Sequence, residues 1–225
     1  MVLGVLDWGI GGLFAAQRAR QREPSLDLIV LSDSGQRPYG KQSKEDLTRA
    51  VTAACLRLRF AGATHILVAC HSASTVLGGV PVPALGVIDA SMVPPGAATL
   101  VLGGQRTIDS DLWAAALGSR PVEQRVAQPL SAHVEAGRAD SAEALADLDL
   151  ILEGVPTPDC VVLACTHYLA MGAAIQARFP KALVVDPALS VVDGLELSPG
   201  SGRLTLLTSG PPATLLEAAT ALGLV

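Results

Sequence analysis

The chain has 225 residues, a formal net charge of −5, and is 50% apolar but only 3% aromatic. No apolar run approaches the ~20 residues that a membrane helix needs. An acidic chain with so few rings lacks the clustered cations that grip a phosphate backbone and the platforms that stack bases, so neither a membrane nor a nucleic acid is expected as a partner.

Taken in order, short apolar runs alternate with longer helical stretches. Val2–Leu6 reads as the first strand; it is short for a leader, has no basic segment before it and runs straight into Asp7, which predicts a cytoplasmic protein. A helix over Leu13–Gln21 follows, then a strand over Asp27–Leu31, a helix over Lys44–Phe60 and strands over Ile66–Ala69, Ala84–Ile88 and Thr99–Leu102. Helices are predicted over Asp109–Leu117 and Ser141–Glu153, a strand over Val161–Ala164, a helix over Ala173–Phe179, strands over Leu183–Val185 and Leu204–Leu207, and a last helix over Ala213–Leu222. Such alternation predicts an α/β protein whose parallel strands, buried on both faces, are continuously apolar.

One stretch echoes another. Thr64-His-Ile-Leu-Val-Ala-Cys-His-Ser-Ala-Ser74 and Asp159-Cys-Val-Val-Leu-Ala-Cys-Thr-His-Tyr-Leu169 each read as a strand ending in Ala-Cys, then a polar turn or helix. The echo predicts two similar α/β halves. The Pro94-Pro95 pair marks one crossing and Asp186-Pro187 a second, giving residues 1–93 with 188–225 as one domain and 94–187 as the other.

Ligands of open α/β sheets sit beyond the carboxyl ends of the strands. Asp7, Asp33, Cys70 and Cys165 all fall there. The Gly9-Ile-Gly-Gly12 turn lacks the lysine of a P-loop, so it is either a tight strand-to-helix turn or a close approach to an anionic ligand. A single cysteine at a strand end is often just a small buried residue. Two in matching contexts point to acid/base thiols, with a redox disulfide as the alternative. His167 stands two residues after Cys165, so in an extended segment its imidazole would share a face with that thiol. His71 would point away from Cys70, and His65 reads as structural. No cysteine is in a CxxC pair, and the His and Cys spacing matches no closed metal site, so no metal is expected. The three lysines, Lys41, Lys44 and Lys181, offer a Schiff-base cofactor few places to attach.

The segments Asp7-Trp-Gly-Ile-Gly-Gly12, Asp33 with Pro38-Tyr-Gly40, Ala69-Cys-His-Ser-Ala-Ser74, Pro81-Val-Pro83, Gly86-Val-Ile88, Glu135-Ala-Gly137 and Cys165-Thr-His-Tyr168 occur in an order that resembles the glutamate racemases of the aspartate/glutamate racemase superfamily. The resemblance implies two flavodoxin-like domains with an active site in a cleft between them. It implies cofactor-independent racemisation of an amino acid, glutamate first, feeding D-glutamate to peptidoglycan. One of Cys70 and Cys165 would remove the Cα proton and the other would deliver one. Asp7 would assist Cys70, and His167 and Glu135 would assist Cys165. Positions 8, 38, 39, 40, 71, 72, 107 and 166 (Trp8, Pro38, Tyr39, Gly40, His71, Ser72, Thr107 and Thr166) would meet the substrate, and a homodimer is implied by the same resemblance.

The chain departs from the family's pattern at several of these places. Trp8 stands where the family has Ser, His71-Ser72 where it has Asn-Thr, Gly104 where it has Thr, and Ala127-Gln-Pro129 where it has Ala-Cys-Pro. Two other readings therefore stay open: a non-catalytic amino-acid-binding protein on this scaffold, and a decarboxylase or isomerase of the same superfamily.

Overall fold

A computed structural model describes residues 1–225. The chain divides into two compact units, Met1–Val87 with Ala188–Val225, and Ile88–Pro187. Val87 packs into the core of the first unit, whereas Ile88, Ala90 and Val93 pack into that of the second, so Pro94-Pro95 lies inside the second unit.

The first unit contains β1 (Val2–Asp7), α1 (Gly12–Arg22), β2 (Asp27–Ser32), α2 (Lys44–Phe60), β3 (His65–Val68) and α3 (His71–Ser74). The second contains β4 (Thr99–Gly103), α4 (Gln105–Asp109), α5 (Leu112–Leu117), β5 (Val122–Val126), α6 (Gln128–Glu135), α7 (Ala142–Leu152), β6 (Cys160–Ala164), α8 (Gly172–Arg178) and β7 (Leu183–Val185). The chain then returns through α9 (Pro187–Gly194), β8 (Leu204–Thr208) and α10 (Pro212–Ala221).

Both sheets are four-stranded and wholly parallel, ordered β3-β1-β2-β8 and β5-β4-β6-β7. Successive residues of one strand feed opposite faces. Leu28 and Val30 of β2 join one apolar cluster, while Ile29 and Leu31 join another. In the second unit Leu100 and Leu102 face one cluster and Val101 the other. Helices cover both faces, which is why the strands read as continuous apolar runs. Each fully buried leucine contributes roughly 1.5–3 kcal/mol.

Local chemistry sets the helix ends. Ser43 Oγ accepts from Asp46 N–H at 3.0 Å to open α2, Glu45 and Asp46 fill its first turn, and Arg57 and Arg59 its last. Its buried residues Leu47, Val51, Ala54, Cys55 and Leu58 recur at helical spacing.

Two expectations are corrected, and one strand is added. Ala84–Ile88 is not a strand; prolines at 81 and 83 leave only one bridge, Leu85 beside Leu67 of β3. The helix predicted over Asp109–Leu117 is two helices, α4 and α5, because Asp111 adopts a left-handed conformation with φ 55°. The edge strand β5, Val-Glu-Gln-Arg-Val, was not predicted, since a half-exposed edge carries charges in place of an apolar run.

No helix is long and apolar enough to cross a membrane.

Candidate active site

Counting the Leu85 bridge, each unit contains the strand order second-first-third-fourth: β2-β1-β3-Leu85 in one and β5-β4-β6-β7 in the other. The connection direction reverses between the first and third strands, the place where open α/β sheets bind ligands. Cys70 and Cys165 each lie just beyond the third strand of their unit. The sequence echo is therefore a topological equivalence.

In the first unit, the paired strands β1 and β3 bring Asp7 and Cys70 to the same end of the sheet, with Ala69 N–H donating to Leu6 O at 2.9 Å. Asp7 is buried and accepts on Oδ1 from Trp8 N–H at 2.7 Å. Gly12 supplies space: a Cβ there would lie 2.8 Å from Asp7 Cβ, so a residue with a side chain would push α1 off β1. Its φ is not positive, and the turn's glycine is needed for this close approach.

Asp33 N–H donates to Asp7 O at 3.0 Å, and Tyr39 Oη donates to Asp33 Oδ2 at 2.7 Å. These bonds fix Pro38-Tyr39-Gly40 beside β1. Burial, and the Asp33 carboxylate that accepts its hydrogen bond, push the Tyr39 phenol far above its usual range, so it stays a neutral donor.

The Trp8 indole is half-buried, and its Nε1–H donates to Gln36 O at 2.9 Å. The donor is thus committed to the loop after β2, leaving the ring face as what Trp8 can offer a ligand.

His71 opens α3 and is 2% exposed. Desolvation lowers its pKa to about 3, so the imidazole is neutral near pH 7. Ser72 beside it is half-buried. His65, at the start of β3, is exposed and pairs through Nδ1 with Thr64 Oγ1 at 3.0 Å, a surface contact.

In the second unit, Gly103 of β4 pairs with Ala164 of β6, so Gly104 and Cys165 are the next residues of adjacent strands. Thr107 on α4 is buried within van der Waals reach of Gly103, where a Cβ would lie 3.5 Å from Thr107 Cβ. Cys165 is half-buried and extended, and a 3₁₀ helix over Thr166–Met171 begins after it. Cys165 Sγ lies 3.6 Å from His167 Nδ1, and His167 Nε2 pairs with Glu135 Oε1. The predicted juxtaposition of Cys165 and His167 is present, but the tight 3₁₀ turn produces it and not an extended segment. Thr166 is buried in the same turn.

Glu135 comes from α6, which composition did not reveal. Pro129 in its first turn and the buried pair Leu130 and Val134 were the available signals. His133 Nε2, 2.8 Å from Asp147 Oδ2, ties α6 to α7, and Tyr168 Oη donates to Ala127 O at 2.7 Å, holding the entry to α6 against the 3₁₀ turn. Both contacts position Glu135 and were not legible beforehand.

The arrangement around Cys165 defines a proton path. A carboxylate on Nε2 favours the tautomer with its hydrogen there, leaving Nδ1 as an acceptor facing the thiol. The imidazole can then take the Cys165 proton and, once charged, donate back to the thiolate. Cys55 and Cys160 differ: both are fully buried, and desolvation pushes each thiol up to about 11. No three His, Cys, Asp or Glu side chains are grouped so as to hold a metal ion.

The family model for Asp/Glu/Hydantoin racemase matches residues 13–195. The chain belongs to the Asp/Glu/Hydantoin racemase family. A glutamate racemase of Deinococcus radiodurans is 32% identical over 244 residues, spanning 95% of this chain and 83% of that one. The solved structure of glutamate racemase from Thermus thermophilus, in complex with β-chloro-D-alanine, superposes with a TM-score of 0.85 at 28% identity and covers 98% of this chain and 92% of that one. Glutamate racemase from Campylobacter jejuni shares the fold with a TM-score of 0.88 at 22% identity, over 100% of this chain and 99% of the other.

Proposed function

We propose that this family member is an amino-acid racemase that interconverts the enantiomers of glutamate without a cofactor, using Cys70 and Cys165 as opposed acid and base. The observation that carries the reading is the Cys165–His167–Glu135 chain beyond β6, matched by Cys70 beside Asp7 at the equivalent place of the other unit. Inversion needs a base on one face of Cα and an acid on the other, exchanging roles with direction. In one direction the Cys165 thiolate, made by proton transfer to His167, removes the Cα proton. The Cys70 thiol gives its proton to the opposite face of the carbanion, and Asp7 assists as that thiol changes state. Reversal regenerates the starting protonation. Placed donors and excluded water must stabilise the carbanion.

The substrate-binding roles of Trp8, Pro38, Tyr39, Gly40, His71, Ser72, Thr107 and Thr166 belong to this proposal, as do a cytoplasmic location, supply of D-glutamate to peptidoglycan and assembly as a homodimer. The relative from Deinococcus radiodurans, a glutamate racemase, supports glutamate as the substrate.

The test is chiral chromatography after incubating the protein with L-glutamate, L-aspartate and a panel of other L-amino acids. Accumulation of D-glutamate is expected. Turnover of a different amino acid would move the substrate assignment. No turnover of any, with tight binding of one, would favour the binding-protein reading.

A further inference from the structure

We propose that Gln128 is a substrate-positioning and specificity-determining residue, its carboxamide occupying the place of a side chain at Gly104 and offering an N–H to a substrate carboxylate. This rests on the racemase reading above.

Gly104 is the first residue beyond β4 and is buried in an extended conformation, φ −71° and ψ 158°. That conformation suits any residue, so the missing side chain is a matter of space. A Cβ at this position would lie 3.0 Å from Gln128 Oε1. Gln128 opens α6 just after β5, and β5 is hydrogen-bonded to β4, so both residues stand at the same end of neighbouring strands. On the other side of β4 the equivalent place is Cys165. The carboxamide therefore crowds the space that a side chain at 104 would enter, one strand away from a proposed catalytic thiol.

Its orientation is set by two bonds. Gln128 Oε1 accepts from Gln105 N–H at 3.3 Å, and Nε2 donates to Ser131 Oγ at 3.3 Å. A carboxamide nitrogen carries two hydrogens. One goes to Ser131, and the second is available at the carboxyl ends of the strands, where ligands of such sheets lie. Oε1 accepts from the backbone N–H of Gln105, which turns the amide nitrogen into the group's donor toward a ligand. A donor fixed in this way fits a carboxylate, which a glutamate substrate supplies twice.

Position 104 and residue 128 should then behave as one unit. Steady-state kinetics with D- and L-glutamate on the wild type, Gln128→Ala, Gln128→Glu, Gly104→Ser and the double variant Gly104→Ser with Gln128→Ala test this. Gln128→Ala should raise KM roughly tenfold or more with kcat within about twofold, since a hydrogen bond to a charged group is lost. Gln128→Glu should raise KM further, because two carboxylates then face one another. Gly104→Ser alone should also raise KM, whereas adding it to Gln128→Ala should recover most of the loss, a serine hydroxyl replacing the amide donor.

Unchanged KM in Gln128→Ala, or a double variant no better than Gln128→Ala alone, overturns the inference while leaving the racemase reading intact. A fall in kcat at constant KM also overturns it. If the wild type turns over no amino acid, the racemase reading falls. Calorimetric titration of D-glutamate into the wild type and Gln128→Ala then decides the inference: binding at least tenfold weaker in the variant sustains it, and equal or absent binding overturns it.

Discussion

The ends of β3 and β6 are built on one plan, yet they surround their thiols differently. Cys165 faces an imidazole backed by a carboxylate, all three on two adjoining segments, α6 and the 3₁₀ turn. Cys70 is followed by an imidazole held neutral by burial, and the acidic residue at the same end of the sheet is Asp7 on the adjacent strand. Equivalent topology thus fixes where a thiol stands, whereas the residues that follow decide how its proton is handled. On the proposed mechanism, the two bases that exchange roles are not chemically symmetrical.

Removing the thiols breaks the comparison most severely. Cys70→Ser and Cys165→Ser should each lower the racemisation rate by about 10²–10⁴, the scale of one general acid–base group. Chiral product analysis reads the result. Next is the asymmetry itself. His167→Asn and Glu135→Gln should each reduce kcat by roughly tenfold to a hundredfold and alter the pH profile of kcat more in the direction for which Cys165 is the base, with KM moving in step because the two enantiomers are equal in energy and kcat/KM must match in both directions. Equal effects on kcat in the two directions at every pH would contradict the asymmetry.

The neutral His71 sharpens the contrast through stability. Its folded pKa, about 3, is below the ordinary value of 6.5 in the unfolded chain. Between these values the unfolded chain binds the extra proton, so stability falls as pH drops, by up to roughly 1.4 kcal/mol per pH unit. Urea denaturation of the wild type and His71→Asn from about pH 7 to about pH 4 should show a steeper loss in the wild type. On the same side, Tyr39→Phe removes the Asp33 partner and should cost about 1–3 kcal/mol by thermal or urea unfolding. The smallest effect concerns the other two cysteines. Iodoacetamide should label Cys55 and Cys160 far more slowly than Cys70 and Cys165, because their thiols are buried and raised to about 11.

Much of this was legible in the sequence where a single physical rule dominated. Strands buried on both faces could hide only as apolar runs, so seven of the eight strands were predicted in place, and α2, capped by Ser43 and charged at both ends, matches its predicted span, Lys44–Phe60. The exception, β5, is an edge with no such run, and α4 and α5 are divided by one left-handed residue that no periodicity announces. The site divides the same way. Both cysteines could be found from their echo. The partners of Cys165 required a turn geometry that spacing does not encode, and the Gly104–Gln128 contact joins residues from two strand ends that only the β4–β5 pairing brings together.

The most direct test of the two-thiol account is Cα proton exchange in D2O, followed by NMR on each glutamate enantiomer with the wild type, Cys70→Ser and Cys165→Ser. The account predicts that the wild type exchanges the Cα proton of both enantiomers with inversion, and that each variant loses inversion. Inversion surviving in either variant, or exchange without inversion in the wild type, would contradict it.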